Sequence, residues 1–305
     1  MSTKPFTAVA ILQLVEAGEL SLDTKVHEVV DDWLGEPLAA LIPANNSMIE
    51  QVTVEQLLAH TSGLPDYEDE NIRAWTLASP KRNFTPLDYI RYGMANGGNF
   101  HFAPGSGDIA IYSGIGYILA GFVLAAVQDA PTWADLDQSF IFDRLPAAEA
   151  AAMRAQTNFV MTGVCDALFG DRLVGQYIVQ VKQSHFHIHP AARGSTNTPR
   201  RTQDFFDAGD GWKDEPLEPA WLHGGLSYAS CGNGYTMGNM VAAAAGPATF
   251  WAGLMSGKLV SPASLELMFD PPVGGARPIY FDGDPPTPVA NLSYGLGVMT
   301  WSNGT

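Results

Sequence analysis

The stretch "FTAVAILQLVEAG" near the start of the chain constrains the fold more than any other part of the sequence. Apolar residues follow one another here with hardly a polar interruption, so a helix formed by this stretch has to be buried on most of its sides. The stretch is far shorter than the ~20 residues that a bilayer crossing needs, so no membrane span is predicted. Pro5 near its start and Gly18 after its end match the preferred ends of a helix. Such a helix requires further layers of structure around it.

Composition and charge exclude several classes of protein. The chain has 305 residues, of which 46% are hydrophobic and 16% charged, as in a folded globule. Lys and Arg number 16 against 32 Asp and Glu, which gives a formal charge of −16. An acidic surface repels phosphate groups, so neither nucleic acid nor an anionic membrane is an expected partner. No basic segment precedes an apolar one, so the sequence does not indicate a signal peptide.

Local signals predict several further helices. Thr53 and Gln56 in "TVEQLLAH" have the capping-box spacing of a helix start. Thr85 in "TPLDYIRYGMANGG" starts another helix, and Ser113 is placed to cap the apolar helix of "SGIGYILAGFVLAAV". "SPASLELMF" predicts one more short helix, and "YGLGVMTW" predicts a strand. No repeat or low-complexity linker divides the chain, so residues 1–305 are expected to form a single domain.

Several segments of the sequence together resemble one known family. They are "STKPFTAVAILQLVEAGELSLD", "LLAHTSGLPDY", "FAPGSGDIAIYSGIGYILAGFVL", "GGLSYASCGNGYTMGNMV", "SGKLVSPASLELMF" and "YGLGVMTW". In this order they resemble the serine β-lactamase-like family, which contains class C β-lactamases, penicillin-binding D-alanyl carboxypeptidases and related esterases. The resemblance covers most of residues 2–127 and 220–301.

The resemblance implies an α+β fold, in which an antiparallel sheet flanked by helices accompanies a mainly helical region. The family's sheet also takes strands from before its first motif helix and from after its third motif. We therefore expect the single domain of residues 1–305 to be incomplete at both ends relative to the family, with parts of the sheet missing.

The chemistry that the resemblance implies centres on two motifs. The opening resembles the family's S-x-x-K helix and "YSG" its Y-x-N motif, so Lys4 and Tyr112 are candidate catalytic residues. Residues three apart share a helix face, so an S-x-x-K pair places a hydroxyl beside an amine that takes its proton. The implied reaction is acyl transfer to serine, followed by hydrolysis of an ester, a β-lactam or a D-amino-acid peptide, with no cofactor. The expected partner is a small acyl substrate or a peptidoglycan-like ligand.

The sequence departs from the family's pattern at the nucleophile. Three residues before Lys4 stands Met1, so the initiator methionine occupies the position of the reactive serine. Ser2 is the nearest hydroxyl and a third candidate catalytic residue, but residues two apart do not face each other on a helix. The sequence therefore predicts a hydrolase that is impaired in acyl transfer. The alternative is a non-catalytic protein that keeps the cleft around Lys4 and Tyr112 for binding a ligand.

Three residues are candidates for binding substrate. Gly114 is the third residue of the Y-x-N motif, so the family's amide side chain is missing there. Tyr67 is one of several aromatic residues that fit either a pocket or the core. His223 in "HGG" is the one candidate for the family's third motif, although it precedes "SGKLVSP", which the family's motif follows. "HGG" is also typical of a tight turn.

A run of histidines offers a less favoured function. His185, His187 and His189 alternate, so on a strand their rings share one face and fit a zinc site, with Asp204 or Asp207 as a further ligand. A polar face on a surface strand explains the same pattern more simply, so no metal site is predicted.

Three other polar features have simple structural interpretations. His60 and Ser62 in "HTSG" suggest a serine–histidine pair or, more commonly, a turn held by side-chain hydrogen bonds. The acidic run "DYEDEN" predicts a solvated loop, and its place beside the cleft also suits a gate. Cys165 and Cys231 fit two small buried residues or one disulfide and do not indicate a compartment, although members of the resembled family commonly act outside the cytoplasm.

Overall fold

The computed structural model describes residues 3–42, 46–68, 71–79, 82–96, 99–106, 108–162, 234–243, 245–271, 276–281 and 287–301. The chain forms two compact units. The larger unit comprises Met1–Ile72, Phe84–Met161 and Gly232–Thr305, and the smaller one comprises Arg73–Asn83 and Thr162–Cys231. The site described below lies in the larger unit.

Helices make up nearly half of the described chain. They are α1 (Lys4–Ala17), α2 (Val26–Leu34), α3 (Leu38–Leu41), α4 (Asn46–Ile49), α5 (Val54–Leu58), α6 (Ile72–Leu77), α7 (Pro86–Asn96), α8 (Gly114–Val127), α9 (Ala147–Gln156), α10 (Tyr235–Gly238), α11 (Ala245–Met255) and α12 (Pro262–Phe269). Two 3₁₀ segments span Trp133–Asp135 and Ser139–Arg144. The strands are β1 (Ala110–Ile111), β2 (Thr157–Phe159), β3 (Met240–Ala242), β4 (Arg277–Phe281), β5 (Thr287–Tyr294) and β6 (Met299–Trp301).

Helix α1 is the buried helix that the apolar opening predicts. It begins at Lys4 with Pro5 in its first turn, and it ends before Gly18, whose φ of 75° is left-handed. Its residues from Lys4 to Leu14 are all buried. It packs against α8, α10, α12 and the second 3₁₀ segment, so helices supply much of its cover. Burial of each large apolar side chain stabilises such a helix by about 1.5–3 kcal/mol.

Helix α8 is a second helix that is buried along most of its length. Its residues from Gly114 to Ala125 are buried, and it packs against α1, α2, α5 and α10. Ser113 caps α8 as predicted, because its Oγ accepts a hydrogen bond from the Gly116 N–H at 3.1 Å. The starts of α1 and α8 lie near each other, and this is where the candidate site forms.

The other predicted helix starts are also confirmed. The Gln56 N–H donates to Thr53 Oγ1 at 3.3 Å and the Thr53 N–H donates to Gln56 Oε1 at 3.0 Å, which completes the capping box of α5. Thr85 and Asp88 exchange equivalent bonds at the start of α7. Ser261 caps α12 by accepting a hydrogen bond from a backbone N–H three residues further on.

The larger sheet has the strand order β1-β4-β5-β6. Strand β1 pairs with β4 in parallel, whereas β4 with β5 and β5 with β6 are antiparallel, so the sheet is mixed. Its buried cluster contains Ala110, Tyr112, Ile279 and Tyr294. Strands β2 and β3 form a separate antiparallel pair. The main role of this sheet for the site is to fix β1, whose end leads directly into Tyr112.

The prediction of one strand in "YGLGVMTW" is wrong. Strand β5 ends at Tyr294, a tight turn follows, and β6 begins at Met299. Gly297 in this turn has a φ of 78°, and a Cβ on it would lie 2.5 Å from the Ala8 Cβ of α1. Gly297 therefore lets the turn approach α1 closely, and a short apolar turn of this kind has the same residue pattern as a buried strand.

Candidate active site

Lys4 and Tyr112 lie together in the structure, as the sequence predicts. Lys4 is in the first turn of α1 and 1% exposed, and Tyr112 follows β1 and is 6% exposed. Lys4 Nζ donates a hydrogen bond to the Tyr112 hydroxyl oxygen at 2.7 Å and approaches the Met237 carbonyl oxygen at 3.4 Å. The amine also lies 4.6 Å from the centroid of the Tyr112 ring, within the range of a cation–π contact.

Burial sets the protonation of this pair. It lowers the pKa of Lys4 to about 8, while the negative charges of Glu68 and Asp66 act in the opposite direction. Burial, followed by the same two carboxylates, raises the pKa of Tyr112 well above its usual value, so this residue stays a neutral phenol. Desolvation disfavours the charged form of each group, so it moves the titration of the lysine toward neutral pH and keeps the proton on the tyrosine.

The Gly114 position has no room for a side chain. A Cβ there would lie 2.7 Å from Tyr67 Cε1 and 2.9 Å from Asp66 Oδ1. Asp66 Oδ1 accepts hydrogen bonds from the backbone N–H groups of Gly114 and Tyr67, both at 2.8 Å. A carboxylate therefore occupies the start of α8, where the positive end of the helix stabilises it.

Asp66 corrects the interpretation of "DYEDEN" as a solvated loop. Glu68 is exposed, but Asp66 is partly buried and is bonded to two backbone N–H groups. Burial, followed by the charge of Glu68, raises the pKa of Asp66 to about 7. The acidic composition of the run conceals the place of Asp66 in the site, and the sequence assigns no role to Met237 either.

Tyr67 lies behind Gly114 in the interior. Its ring is 1% exposed and its centroid is 5.1 Å from that of Tyr89. In this structure it fills the space that a side chain at position 114 would take. Its assignment as a substrate-binding residue stays a prediction.

His60 and Ser62 have separate partners. Ser62 Oγ accepts a hydrogen bond from the Leu64 N–H at 3.3 Å, which is the turn that the sequence predicts. His60 Nδ1 instead accepts a hydrogen bond from the Ser113 N–H at 3.1 Å. The turn interpretation of "HTSG" is confirmed.

Several predicted residues lie outside the described part of the chain. They are Met1, Ser2, Cys165, His185, His187, His189, Asp204, Asp207, His223 and Cys231. Within the described ranges, no group of three or more His, Cys, Asp or Glu side chains could hold a metal ion. None of the described helices combines the length and the apolarity needed to cross a bilayer.

Comparison with known proteins identifies the family. The model of the family described as Beta-lactamase matches residues 2–304. The chain belongs to the beta-lactamase family, and the family and α+β fold inferred from its motifs are confirmed. At the level of the family it is related to serine β-lactamases and penicillin-binding proteins.

Curated relatives match parts of the chain. Penicillin-binding protein 4* of Bacillus subtilis (strain 168) is 34% identical over 146 residues, which are 48% of this chain and 27% of that protein. Penicillin-binding protein 4 of Amycolatopsis lactamdurans is 41% identical over 61 residues, which are 20% of this chain and 14% of that protein. The matched segments thus span well under half of either relative.

Solved structures match nearly the whole chain in fold. A D-stereospecific amidohydrolase from Streptomyces sp. has a TM-score of 0.59 and 22% identity, with 98% of this chain and 68% of that chain covered. A penicillin-binding protein from Bacillus halodurans has a TM-score of 0.54 and 20% identity, covering 99% and 68%. The D-amino acid amidase from Ochrobactrum anthropi SV3 has a TM-score of 0.56 and 20% identity, covering 100% and 65%. At these identities the likeness extends to the fold alone.

Proposed function

We propose that this chain is a hydrolase of the beta-lactamase family that keeps the proton-transfer pair Lys4 and Tyr112 but is impaired in acyl transfer, because Met1 stands at the nucleophile's position. The observation that carries this proposal is the buried hydrogen bond of 2.7 Å between Lys4 Nζ and the Tyr112 hydroxyl. The two residues are 108 positions apart in the sequence, so local structure alone does not bring them together.

The lowered pKa of Lys4 suits a general base. With a pKa of about 8 in place of the ordinary 10.5, the neutral fraction of the amine at pH 7 increases about 300-fold. A neutral amine can take the proton of an attacking hydroxyl, and the Tyr112 phenol can pass a proton on to the leaving group. These two steps are what acyl transfer by an S-x-x-K site requires of its lysine and tyrosine.

The residue three positions before Lys4 limits this chemistry. A methionine thioether has no proton to give to Lys4, so it does not form an acyl intermediate in the way that a serine hydroxyl does. Ser2 is the alternative nucleophile, and its spacing of two residues from Lys4 does not suit a shared helix face. The substrate class that fits the lineage is an ester, a β-lactam or a D-amino-acid amide, the last in keeping with the D-amino acid amidase among the structural neighbours.

Restoring the serine tests the proposal. A Met1→Ser variant is made behind a short N-terminal extension, so that the serine nitrogen is an amide, and the same extension with Met1 is the matched control. We expect the variant to hydrolyse a p-nitrophenyl ester or D-phenylalanine amide at least about 100-fold faster than the control. It also becomes labelled by a serine-directed phosphonate, and Lys4→Ala in the same background abolishes both effects.

Three results contradict the proposal. Labelling of Ser2, or turnover by the chain with Met1, shows that acyl transfer is not impaired. A folded Met1→Ser variant that neither turns over nor becomes labelled shows that Lys4 and Tyr112 do not form a usable catalytic pair. Saturable binding of an acyl ligand by both proteins without turnover favours the binding alternative.

A further inference from the structure

His60 contacts the backbone on both sides of Tyr112. Its carbonyl oxygen accepts a hydrogen bond from the Ile111 N–H at 3.0 Å, and its Nδ1 accepts one from the Ser113 N–H at 3.1 Å. The Tyr112 N–H donates instead to the Tyr280 carbonyl oxygen of β4 at 2.8 Å. A neighbouring β-strand would accept hydrogen bonds from alternate N–H groups of residues 111–113. His60 does the same with one main-chain acceptor and one side-chain acceptor.

The backbone of His60 is strained in making these contacts. Its φ is 57°, in the left-handed region that residues with a side chain rarely adopt. This conformation costs about 1–2 kcal/mol relative to the right-handed one. Glycine would relieve the strain but has no ring and no Nδ1. A strained non-glycine residue beside a candidate site is an observation from which a role can be inferred.

The His60 ring is buried among aromatic side chains. It is 1% exposed, and its centroid lies 4.8 Å from that of Tyr112, 5.1 Å from that of Tyr117 and 4.5 Å from that of Tyr294. Because Nδ1 accepts a hydrogen bond, the proton of the neutral ring lies on Nε2, which has no partner among the described residues. Burial, followed by the charge of Lys4, holds the pKa of His60 well below 6.5, so Nδ1 remains an acceptor at pH 7.

We propose that His60 is a positioning residue of the Lys4–Tyr112 pair, which places the tyrosine hydroxyl against the lysine amine by holding the backbone N–H groups before and after Tyr112. It does not itself touch a substrate. The inference rests on the proposed function for the identity of the pair. Its test reads the state of Lys4 directly and does not require turnover.

The test measures the Lys4 pKa by NMR in the full chain, labelled with ¹³C and ¹⁵N in lysine. The chain has six lysines, and Lys4→Arg assigns the resonance of interest. His60→Phe keeps a ring but removes the Nδ1 acceptor. His60→Asn keeps a side-chain acceptor and tolerates the left-handed backbone. Val30→Ala, in the core of α2, is the control for a general loss of stability.

We expect His60→Phe to raise the Lys4 pKa by at least about one unit, because a displaced Tyr112 admits water and relieves the desolvation of the amine. His60→Asn and Val30→Ala are expected to leave the Lys4 pKa within about 0.5 of the wild-type value. A merely structural role would lower the stability of both His60 variants without separating their Lys4 pKa values.

A folded His60→Phe protein with an unchanged Lys4 pKa overturns the inference. If His60→Phe does not fold, the Asn variant decides: a wild-type Lys4 pKa supports the role of the acceptor, and a raised one contradicts it. The two proposals fail separately. An inactive Met1→Ser variant refutes the proposed function. The Lys4 pKa measured in the His60→Phe and His60→Asn variants supports or refutes the positioning role.

Discussion

Replacing Lys4 by methionine should make the stability of the protein depend on pH in a different way. Methionine has a similar length and no charge, so it removes the buried amine with little change in packing. The pKa of Lys4 falls from the ordinary 10.5 to about 8 in the folded protein. At 1.36 kcal/mol per pH unit, this amounts to about 3 kcal/mol against the folded state when the amine is charged in both states.

The sign follows from proton binding. Between pH 8 and 10.5 the unfolded chain still holds the Lys4 proton and the folded chain has released it, so the free energy of unfolding of the wild type rises with pH. Below pH 8 the full penalty is present. The Lys4→Met variant lacks this term but loses the hydrogen bond to Tyr112, which costs about 1–3 kcal/mol at every pH. Relative to the wild type, the variant therefore has a higher free energy of unfolding at neutral pH than at alkaline pH.

The assay is urea unfolding followed by tryptophan fluorescence at pH 8, 9 and 10. This range lies above the pKa of about 7 of Asp66, so the charge of its carboxylate changes little. From pH 8 to pH 10, the free energy of unfolding of the wild type should rise by about 2 kcal/mol relative to that of the variant. Lys25→Met is the matched control, because the Lys25 amine lies at the surface and donates to the Gln51 carbonyl oxygen at 2.7 Å.

If the difference in the free energy of unfolding between wild type and Lys4→Met stays the same from pH 8 to pH 10, the reasoning is refuted. It would mean that the amine titrates as it does in the unfolded chain. Burial would then not lower its pKa, and the increase in neutral amine on which the proposed general base depends would be absent.

Three further perturbations test the structure around the site. Gly114→Ala should cost about 1–3 kcal/mol because no space exists for its Cβ, whereas Gly116→Ala in the same helix, where the nearest atoms are 3.7 Å away, should be neutral or stabilising in thermal unfolding. Burial opposes ionisation of Glu16, but hydrogen bonds from partners that include Arg144 lower its pKa to about 2. The stabilisation by the ionised Glu16 is present above pH 4.5 and is lost as the pH falls toward 2. Glu16→Gln should therefore lower the melting temperature at pH 7 and have less effect at pH 2. The loss of stability should be under about 1 kcal/mol, because the pair is partly exposed. Thr53→Ala should cost about 1 kcal/mol in urea unfolding by removing one half of a capping box.

The parts of the fold that could be predicted from sequence are those set by local physical rules. The ends of α1 follow from Pro5 and Gly18, and the starts of α5 and α8 from Thr53 and Ser113, because each cap is satisfied within a few residues. The same rules failed between Tyr294 and Met299, where close packing against α1 decides the conformation.

The site could be predicted only in part. Lys4 and Tyr112 were paired through a resemblance to a family, since no periodicity relates two residues that are 108 positions apart. The roles of His60 and Asp66 were missed, because each depends on backbone N–H groups of a distant segment. A cap formed by Asp66 across 48 residues leaves no spacing in the sequence.

These long-range bonds explain why the segment 60–66 matters to the site. Its residues bond in order along the segment 111–114: His60 to the N–H groups of Ile111 and Ser113, Pro65 through its carbonyl oxygen to Ser113 Oγ at 2.7 Å, and Asp66 to the Gly114 N–H. The lysine arrives from α1, which is a separate element, so the distance from its amine to the phenol depends on how firmly these bonds hold the second segment. Burial lowers the pKa of the amine, and the same attachment brings the carboxylates of Glu68 and Asp66 close enough to oppose that lowering. One turn of the chain thus sets both the position of the phenol and the electrostatic potential at the lysine, so a change in this turn should alter geometry and protonation together.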